Sequence, residues 1–174
     1  MKRILLLVGI VAIFTSITFA QSSKAEKKAA KEAEGNAKFE RALAAIEAKD
    51  FVIIVDYYHS NRMGVTIQNL DNSNFFSYER QNAFVQGVIF FGENYPNFHK
   101  LDVSNYKHFV DKKGNVRVEM IVIGNMTRGR VEISMTKGNN YADVIYTMRD
   151  FKVRYSGEVV PTALSKYIKG PNQV

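Results

Sequence analysis

Residues 116–136 read VRVEMIVIGNMTRGRVEISMT and contain two runs in which apolar and polar side chains alternate. In each run one phase is apolar, and the opposite phase includes charged residues. A period of two places successive side chains on opposite faces of a β-strand. The stretch therefore predicts two strands, each with one buried face. The apolar phases comprise Val116, Val118, Met120 and Val122 in the first run and Val131, Ile133 and Met135 in the second.

Short turns flank these runs. Residues 112–115 (KKGN), 125–129 (NMTRG) and 137–140 (KGNN) are rich in residues that tolerate left-handed backbone angles. Turns this short join antiparallel neighbours. A meander is therefore predicted, with strands near 103–111, 116–124, 130–136, 141–148 and 151–160. Earlier runs predict further strands at 51–58, 63–68, 75–80 and 83–91.

Ahead of the strands the hydrophobic period changes to that of a helix. Apolar residues recur from Phe39 at i, i+3, i+4 and i+7, and Asn36 is a suitable N-cap. A helix is therefore predicted from Asn36 to about Ala48. An antiparallel sheet must cover its apolar face. The expected fold is mainly β (α+β): an antiparallel meander of about eight strands forming a curved sheet, a half-barrel or barrel, or a sandwich, with one N-terminal helix packed on it.

The first twenty residues predict a secretory signal peptide. Lys2 and Arg3 precede an apolar run, and the run ends in Thr18-Phe19-Ala20, which has small residues at the third and first positions before a cleavage site. Cleavage is expected after Ala20, giving a periplasmic or secreted protein. Residues 21–35 predict a charged spacer that need not be ordered, and residues 36–174 a single globular domain.

Composition restricts the function classes further. The 174 residues include no Cys, which excludes disulfides, thiol nucleophiles and a cysteine-linked lipid anchor. The basic excess is modest, with 24 Lys and Arg against 17 Asp and Glu, and the basic residues are spread along the chain. In an exported protein this pattern does not favour nucleic acid as a partner.

Several motifs in the second half resemble a family of small exported proteins of Bacteroides-type bacteria that is catalogued only as a domain of unknown function. The resemblance covers about residues 36–170. It implies an Ala-rich helix followed by an all-β body, and no activity, ligand or catalytic residue. Many members carry a lipoprotein cysteine that this chain lacks. The motifs are Ser104-Asn105-Tyr106, the turn at 111–115, the residues 138–142 (GNNYA), 155–161 (YSGEVVP) and 167–170 (YIKG).

Signs of an enzyme are weak. His59, His99 and His108 lie in no metal-ligand spacing, and the chain has neither a Gly-x-Ser-x-Gly elbow nor a Gly-rich phosphate loop. Asp56 is the one acid within a strongly apolar strand, where it either points to solvent or forms a buried functional carboxylate. The sequence therefore predicts a noncatalytic protein with no metal site and no cofactor.

Aromatic residues are concentrated between positions 57 and 109, either to fill the core or to form a binding site. The loop 92–99 (GENYPNFH) interleaves aromatic and amide side chains, a composition suited to a sugar, an amphiphile or a partner protein. The ligand-contact candidates are Tyr58, Phe75, Phe76, Tyr95, Phe98 and His99.

Three functions are compatible with these observations. The first is a noncatalytic binding module of the bacterial envelope for an apolar ligand, a lipid or a glycan, which predicts a cavity lined by inward residues such as Val88, Phe90 and Val118. The second is a protein-interaction or inhibitor-type module of the envelope, which predicts a filled interior and an exposed aromatic patch. The third is a small hydrolase, which requires a carboxyl or imidazole of shifted pKa in a cleft. An edge strand left uncovered would also permit dimerisation by strand pairing.

Overall fold

The computed structural model describes residues 2–60, 65–68, 72–87, 99–124, 127–149 and 152–170. One long helix precedes nine strands and a short 3-10 turn. The elements are α1 (Lys2–Ala48), β1 (Asp50–Ser60), β2 (Val65–Gln68), β3 (Phe75–Glu79), β4 (Asn82–Gln86), β5 (His99–Val110), β6 (Val116–Gly124), β7 (Thr127–Met135), β8 (Tyr141–Met148), β9 (Lys152–Pro161) and the 3-10 turn Thr162–Leu164.

The strands form one antiparallel sheet that closes on itself. From β3 to β9 each strand pairs with the next along the chain, and β9 returns to pair with β1. On its other side, β1 pairs with β3 through Asp50–Ile54 and with β2 through Tyr57–Ser60, so β2 and β3 together occupy one strand position. The predicted meander is confirmed, and of the forms that the sequence allowed, the sheet is a closed, barrel-like one of eight strand positions.

Side chains fill the interior of this barrel. The apolar phases predicted for β6 and β7 face inward, and every member is at most 2% exposed. Burying each large side chain of this kind contributes about 1.5–3 kcal/mol, so the interior cluster is the main source of stability. Its largest members are Tyr146, Tyr155, Phe51, Phe76, Ile46, Ile53, Leu101, Met120, Ile133 and Met135.

The C-terminal part of α1 covers the end of the barrel at which β1 begins. Phe39, Ala42 and Ile46 are almost fully buried in the same cluster as the strands. Upstream, a Cβ on Gly35 would lie 2.4 Å from the carbonyl oxygen of Gly138 in the β7–β8 turn, so only glycine permits this approach. Downstream, the Ile46 carbonyl accepts a hydrogen bond of 2.7 Å from the hydroxyl of Tyr106 in β5.

The helix begins well before the predicted N-cap. The prediction of a start at Asn36 is wrong, because α1 runs without a break from Lys2 through Gly35. Residues 24–34 are exposed but helical; their Lys, Glu and Ala residues are good helix formers, and one internal glycine costs only about 1 kcal/mol. Ion pairs at i,i+4 support this segment: Lys28 with Glu32 at 3.8 Å, and Glu34 with Lys38 at 3.0 Å. Among the residues whose side chains are described, no helix is long and apolar enough to cross a membrane.

Residues 162–170, here called the C-terminal strap, lie against the outer face of β3 and β4. The Tyr167 ring packs edge-on against Phe75, with the ring centroids 4.6 Å apart. The Gln86 side chain donates to the Ile168 carbonyl and accepts from the Gly170 amide. Glu79 accepts hydrogen bonds from the Tyr167 hydroxyl and the Lys169 ammonium. The strap therefore buries apolar surface on the outside of the barrel, a layer that the alternation of the strands did not predict.

Candidate functional site

The predicted aromatic contacts do not come together into one site. Phe75 is fully buried beneath the C-terminal strap, and Phe76 is 1% exposed in the barrel interior beside Phe51. Adjacent residues of a strand point to opposite faces, so these two rings lie on opposite sides of β3. Tyr58 is half-buried against the interior cluster. The assignment of Phe75 and Phe76 as ligand contacts is therefore corrected: both are packing residues.

The loop that carried the strongest sequence signal is not part of the described structure. Tyr95 and Phe98 lie outside the described residues, as do Val88 and Phe90. His99 is the first residue of β5; it is half-buried and pairs with Val85. Val118, proposed to line a cavity, is 1% exposed within the packed interior.

The histidines occupy different places in the fold. His59 lies near the end of β1, while His99 and His108 lie near the two ends of β5. Within the part of the chain that the structure describes, no three His, Asp or Glu side chains are grouped as metal ligands. The three imidazoles are therefore not assembled into one centre.

Asp56 lies at a β-bulge, where the β1–β9 register shifts between Val55 and Tyr57. The side chain is half-buried near Tyr141 and Glu158, and not inside the barrel. Burial raises the pKa of the Asp56 carboxyl above its usual value, and the nearby Glu158 charge raises it further, while Tyr141 acts in the opposite direction. The hydroxyl of Tyr141 is buried and has no hydrogen-bond partner of normal geometry among the described residues. The arrangement is an acid pair on the outer surface, one of whose members retains its proton more readily than usual.

A groove of about 590 Å³ lies on the outer face of the barrel across β5, β6, β7 and β8. Its centre is a row of directly paired residues: Phe109 faces Arg117, Arg117 faces Ser134, and Ser134 faces Asp143. Neighbouring strands lie about 4.8 Å apart, so the row spans about 14 Å. Phe109 is 50% exposed at one end, and the other three side chains are polar and exposed. The groove thus joins an aromatic surface to a donor, a hydroxyl and a carboxylate in one line.

The orientation of Arg117 is fixed by a network of four charges. Its guanidinium lies 3.1 Å from Glu119 and 3.4 Å from Glu132, and Arg130 contacts the same two carboxylates at 2.7 and 3.0 Å. Glu119 and Glu132 face each other directly across the β6–β7 ladder, where two like charges would repel without the arginines. Surface ion pairs contribute little individually, but a network holds side chains in place. Arg117 is therefore positioned, with further guanidinium N–H groups left to donate.

The turn at 111–115 forms the end of the groove. Backbone and side-chain hydrogen bonds from Asn115, together with the Lys113 amide, lower the pKa of the Asp111 carboxyl. Gly114 has a φ of +82°, the left-handed region in which glycine is favoured. The Asn115 side chain accepts a hydrogen bond from the Lys137 amide, which links this turn to the next. Local bonding therefore holds this end of the groove.

Sequence reasoning missed this site, although a signal for it was present. Phe109 belongs to the aromatic cluster, but it shares its phase of β5 with Lys107 and Asp111, which marks it as an outward residue. Arg117 and Asp143 are ordinary polar positions of their strands. Only the register of four strands places them in one row.

Comparison with known proteins places the chain in a family without an assigned activity. The family model described as "Domain of unknown function (DUF4251)" matches residues 33–159. The crystal structure of a DUF4251 family protein from Bacteroides eggerthii is similar to this chain, with a TM-score of 0.66 and 24% sequence identity, over 77% of this chain and 94% of that one. No curated protein matches. At this identity the structural similarity supports the fold alone, and it agrees with the family resemblance of the second-half motifs.

Proposed function

This chain belongs to the DUF4251 family of domains of unknown function, and we propose that it is an exported, noncatalytic binding module of the bacterial envelope that binds a glycan in the outer groove. The observation that carries the proposal is the row of Phe109, Arg117, Ser134 and Asp143. Export rests on the signal-peptide pattern that ends at Ala20.

The chemistry of the groove suits a sugar better than an apolar ligand. Each sugar hydroxyl both donates and accepts hydrogen bonds; Arg117 only donates, the Asp143 carboxylate only accepts, and Ser134 does both. The Phe109 ring adds an exposed apolar surface for the less polar faces of a sugar ring. The volume lies within the usual range for small-molecule sites, about 300–1,000 Å³.

The filled interior also favours the outer face. Every inward residue of β6 is at most 2% exposed, so this wall of the barrel leaves no lining free for a lipid. Among the described residues that line the groove there is no histidine, and hydrogen bonds lower the pKa of the Asp111 carboxyl. A general acid for glycoside hydrolysis needs a raised pKa, so neither an imidazole nor Asp111 provides one there, which supports binding without catalysis.

The proposal is tested by two-dimensional amide NMR during titration with neutral gluco-, xylo- and N-acetylglucosamine oligosaccharides. We expect at least one series to shift the amides of Arg117, Ser134 and Asp143. Phe109→Ala and Asp143→Asn should weaken that binding about tenfold or more, because each removes one element of the row. The matched controls are Ile123→Ala, an exposed apolar residue of β6, and Asp102→Asn, an exposed acid of β5. Shifts confined to residues outside the groove, or equal losses in the controls, would contradict the proposal.

A protein-interaction module is the second candidate, and one observation favours it. Phe109 and Val110 are adjacent in β5 and each is 50% exposed, beside the exposed turn residues Lys112 and Lys113. Exposed apolar groups bordered by charges are typical of contact surfaces between proteins. Photo-crosslinking from position 110 in cells separates the candidates. An interaction module predicts a protein adduct that Asp143→Asn weakens, whereas a glycan site predicts that Asp143→Asn leaves any protein adduct unchanged.

A further inference from the structure

We propose that the free edge of β5 pairs with the same edge of a second copy of this chain, forming a weak two-fold dimer. Among the described residues this edge is unpaired, because β5 extends beyond the end of β4. On the β4 side pairing ends at Asp102, whereas on the β6 side it continues to Val110. Residues 103–110 therefore lack a strand partner on the β4 side among the residues described.

Hydrogen bonding in the β5–β6 hairpin fixes which backbone groups face outward. The Asp111 amide donates to the Asn115 carbonyl at 2.9 Å, so these two residues form a hydrogen-bonded pair. Hydrogen-bonded and non-hydrogen-bonded pairs alternate along an antiparallel ladder, so Phe109 and Arg117 form the next hydrogen-bonded pair. His108 and Val110 belong to the non-hydrogen-bonded pairs, and their backbone amides and carbonyls therefore point away from β6. The edge therefore presents two donors and two acceptors at alternate residues, the pattern that an added strand requires.

These groups are accessible. Lys107, His108, Phe109 and Val110 are all exposed, in contrast to the buried residues of the inward phase elsewhere in the sheet. Closer to the barrel, Tyr106 is held by the Ile46 carbonyl and stacks on Tyr78, with ring centroids 5.1 Å apart. The exposed part of the edge thus begins directly after Tyr106, the residue that bonds to the helix.

The sequence of this segment is complementary to itself. In an antiparallel pair centred on Phe109, His108 of each copy forms hydrogen bonds with Val110 of the other, which uses the four outward groups. The same register places Lys107 opposite Asp111 of the second copy, twice by symmetry, and the two Phe109 rings opposite each other. Opposite charges and aromatic pairs at directly facing positions stabilise a sheet. A shift by two residues either way removes both charge pairs, and one of these shifts places Lys107 opposite Lys113 instead.

The dimer would join the two outer grooves. Because Phe109 meets Phe109, the row that runs from Asp143 to Phe109 in one copy continues from Phe109 to Asp143 in the other. The combined surface would favour a long polymer over a short oligosaccharide. This consequence rests on the proposed function, whereas the dimer itself does not.

Analytical ultracentrifugation of residues 21–174 without any carbohydrate tests the dimer, over protein concentrations from about 10 µM to about 1 mM. The small contact predicts a weak monomer–dimer equilibrium. Lys107→Glu and Asp111→Lys should each weaken association about tenfold, and the double variant, which restores opposite charges, should return to within about threefold of the wild type. Lys166→Glu, an exposed lysine of the strap, controls for net charge.

Val110→Pro removes an outward amide of the edge and should abolish association while leaving the circular-dichroism spectrum unchanged. A monomer at every concentration would overturn the proposal, as would a dimer that the single charge reversals do not weaken or the double variant does not restore. Loss of the dimer with retained oligosaccharide shifts at Arg117 would leave the proposed function standing, so the two failures are distinguishable.

Discussion

Substituting Gly157 by alanine should open the seam at which the barrel closes. Gly157 lies in β9 opposite Val55 of β1 and Ala142 of β8. A Cβ at this position would lie 1.8 Å from the carbonyl oxygen of Ile54 and 2.7 Å from its carbonyl carbon, which are backbone atoms with no rotamer to change. The two strands would have to move apart, and the ladder between them would weaken.

The size of the effect follows from the kind of contact. Overpacking costs about 1–3 kcal/mol, and a clash with backbone belongs at the top of that range, so Gly157→Ala should cost about 3 kcal/mol. For a domain of this size the expected fall in Tm is about 6–12 °C. Gly114→Ala is the matched control: its Cβ would meet only the flexible end of Lys137, at 2.7 Å, and its cost should be the left-handed backbone penalty of about 1–2 kcal/mol.

Equilibrium urea unfolding, followed by circular dichroism, measures both values. Gly157→Ala should lose more free energy of unfolding than Gly114→Ala and should also give the lower soluble yield. A free energy of unfolding within about 1 kcal/mol of the wild type, or a loss no larger than that of Gly114→Ala, would refute the β1–β9 closure as described here.

Three further predictions concern polar groups around the core. Burial would raise the pKa of Glu79, but hydrogen bonds from the strap and from Ser77 outweigh burial and lower that pKa. The Glu79 carboxylate therefore stabilises the fold at pH values above its unfolded pKa of about 4.5, and this stabilisation is lost as the pH falls. Glu79→Gln should cost about 1–2 kcal/mol at pH 7 and reduce the dependence of stability on acidic pH in urea titrations. Tyr155→Phe should be neutral or stabilising by up to about 1 kcal/mol in the same assay, because its buried hydroxyl has no hydrogen-bond partner among the described residues; a clear loss would indicate a partner. Burial raises the pKa of Tyr106, so its protonated form stabilises the fold below about pH 10, and this contribution decreases at higher pH. Tyr106→Phe should cost about 0.5–1 kcal/mol at pH 7, because the Ile46 carbonyl keeps its hydrogen bond from the Lys49 amide. The same substitution should reduce the loss of stability between about pH 9 and 11.

The strand architecture could be predicted because period, turns and burial agree in the second half of the chain. Val131, Ile133 and Met135 face the interior as their alternation requires. The closure of the sheet was not predictable, because it depends on long-range pairing of β9 with β1 and on the Gly157 contact, which no local pattern encodes. The predicted helix start was wrong because the helix propensity of the surrounding Lys, Glu and Ala residues outweighs the cost of a single internal glycine.

The candidate site was less predictable than the fold. Two adjacent phenylalanines attracted attention as aromatic residues, yet Phe75 is covered by the strap, whose packing against β3 joins residues about ninety positions apart. Phe109 was visible in the sequence, but its significance depends on facing Arg117 across the hairpin and, beyond it, Ser134 and Asp143. A binding row that crosses strands is a property of register, which the sequence specifies only through the whole sheet.

The central claim is that this protein binds a polar ligand on its outer face and not an apolar one within its barrel. Native mass spectrometry of the protein purified gently from a bacterial envelope, before and after denaturation, tests it most directly. We predict a bound carbohydrate mass that disappears on denaturation, is lost in Phe109→Ala and Asp143→Asn, and is retained in Ile123→Ala. A bound lipid, or any bound mass that survives both groove substitutions, would contradict the claim.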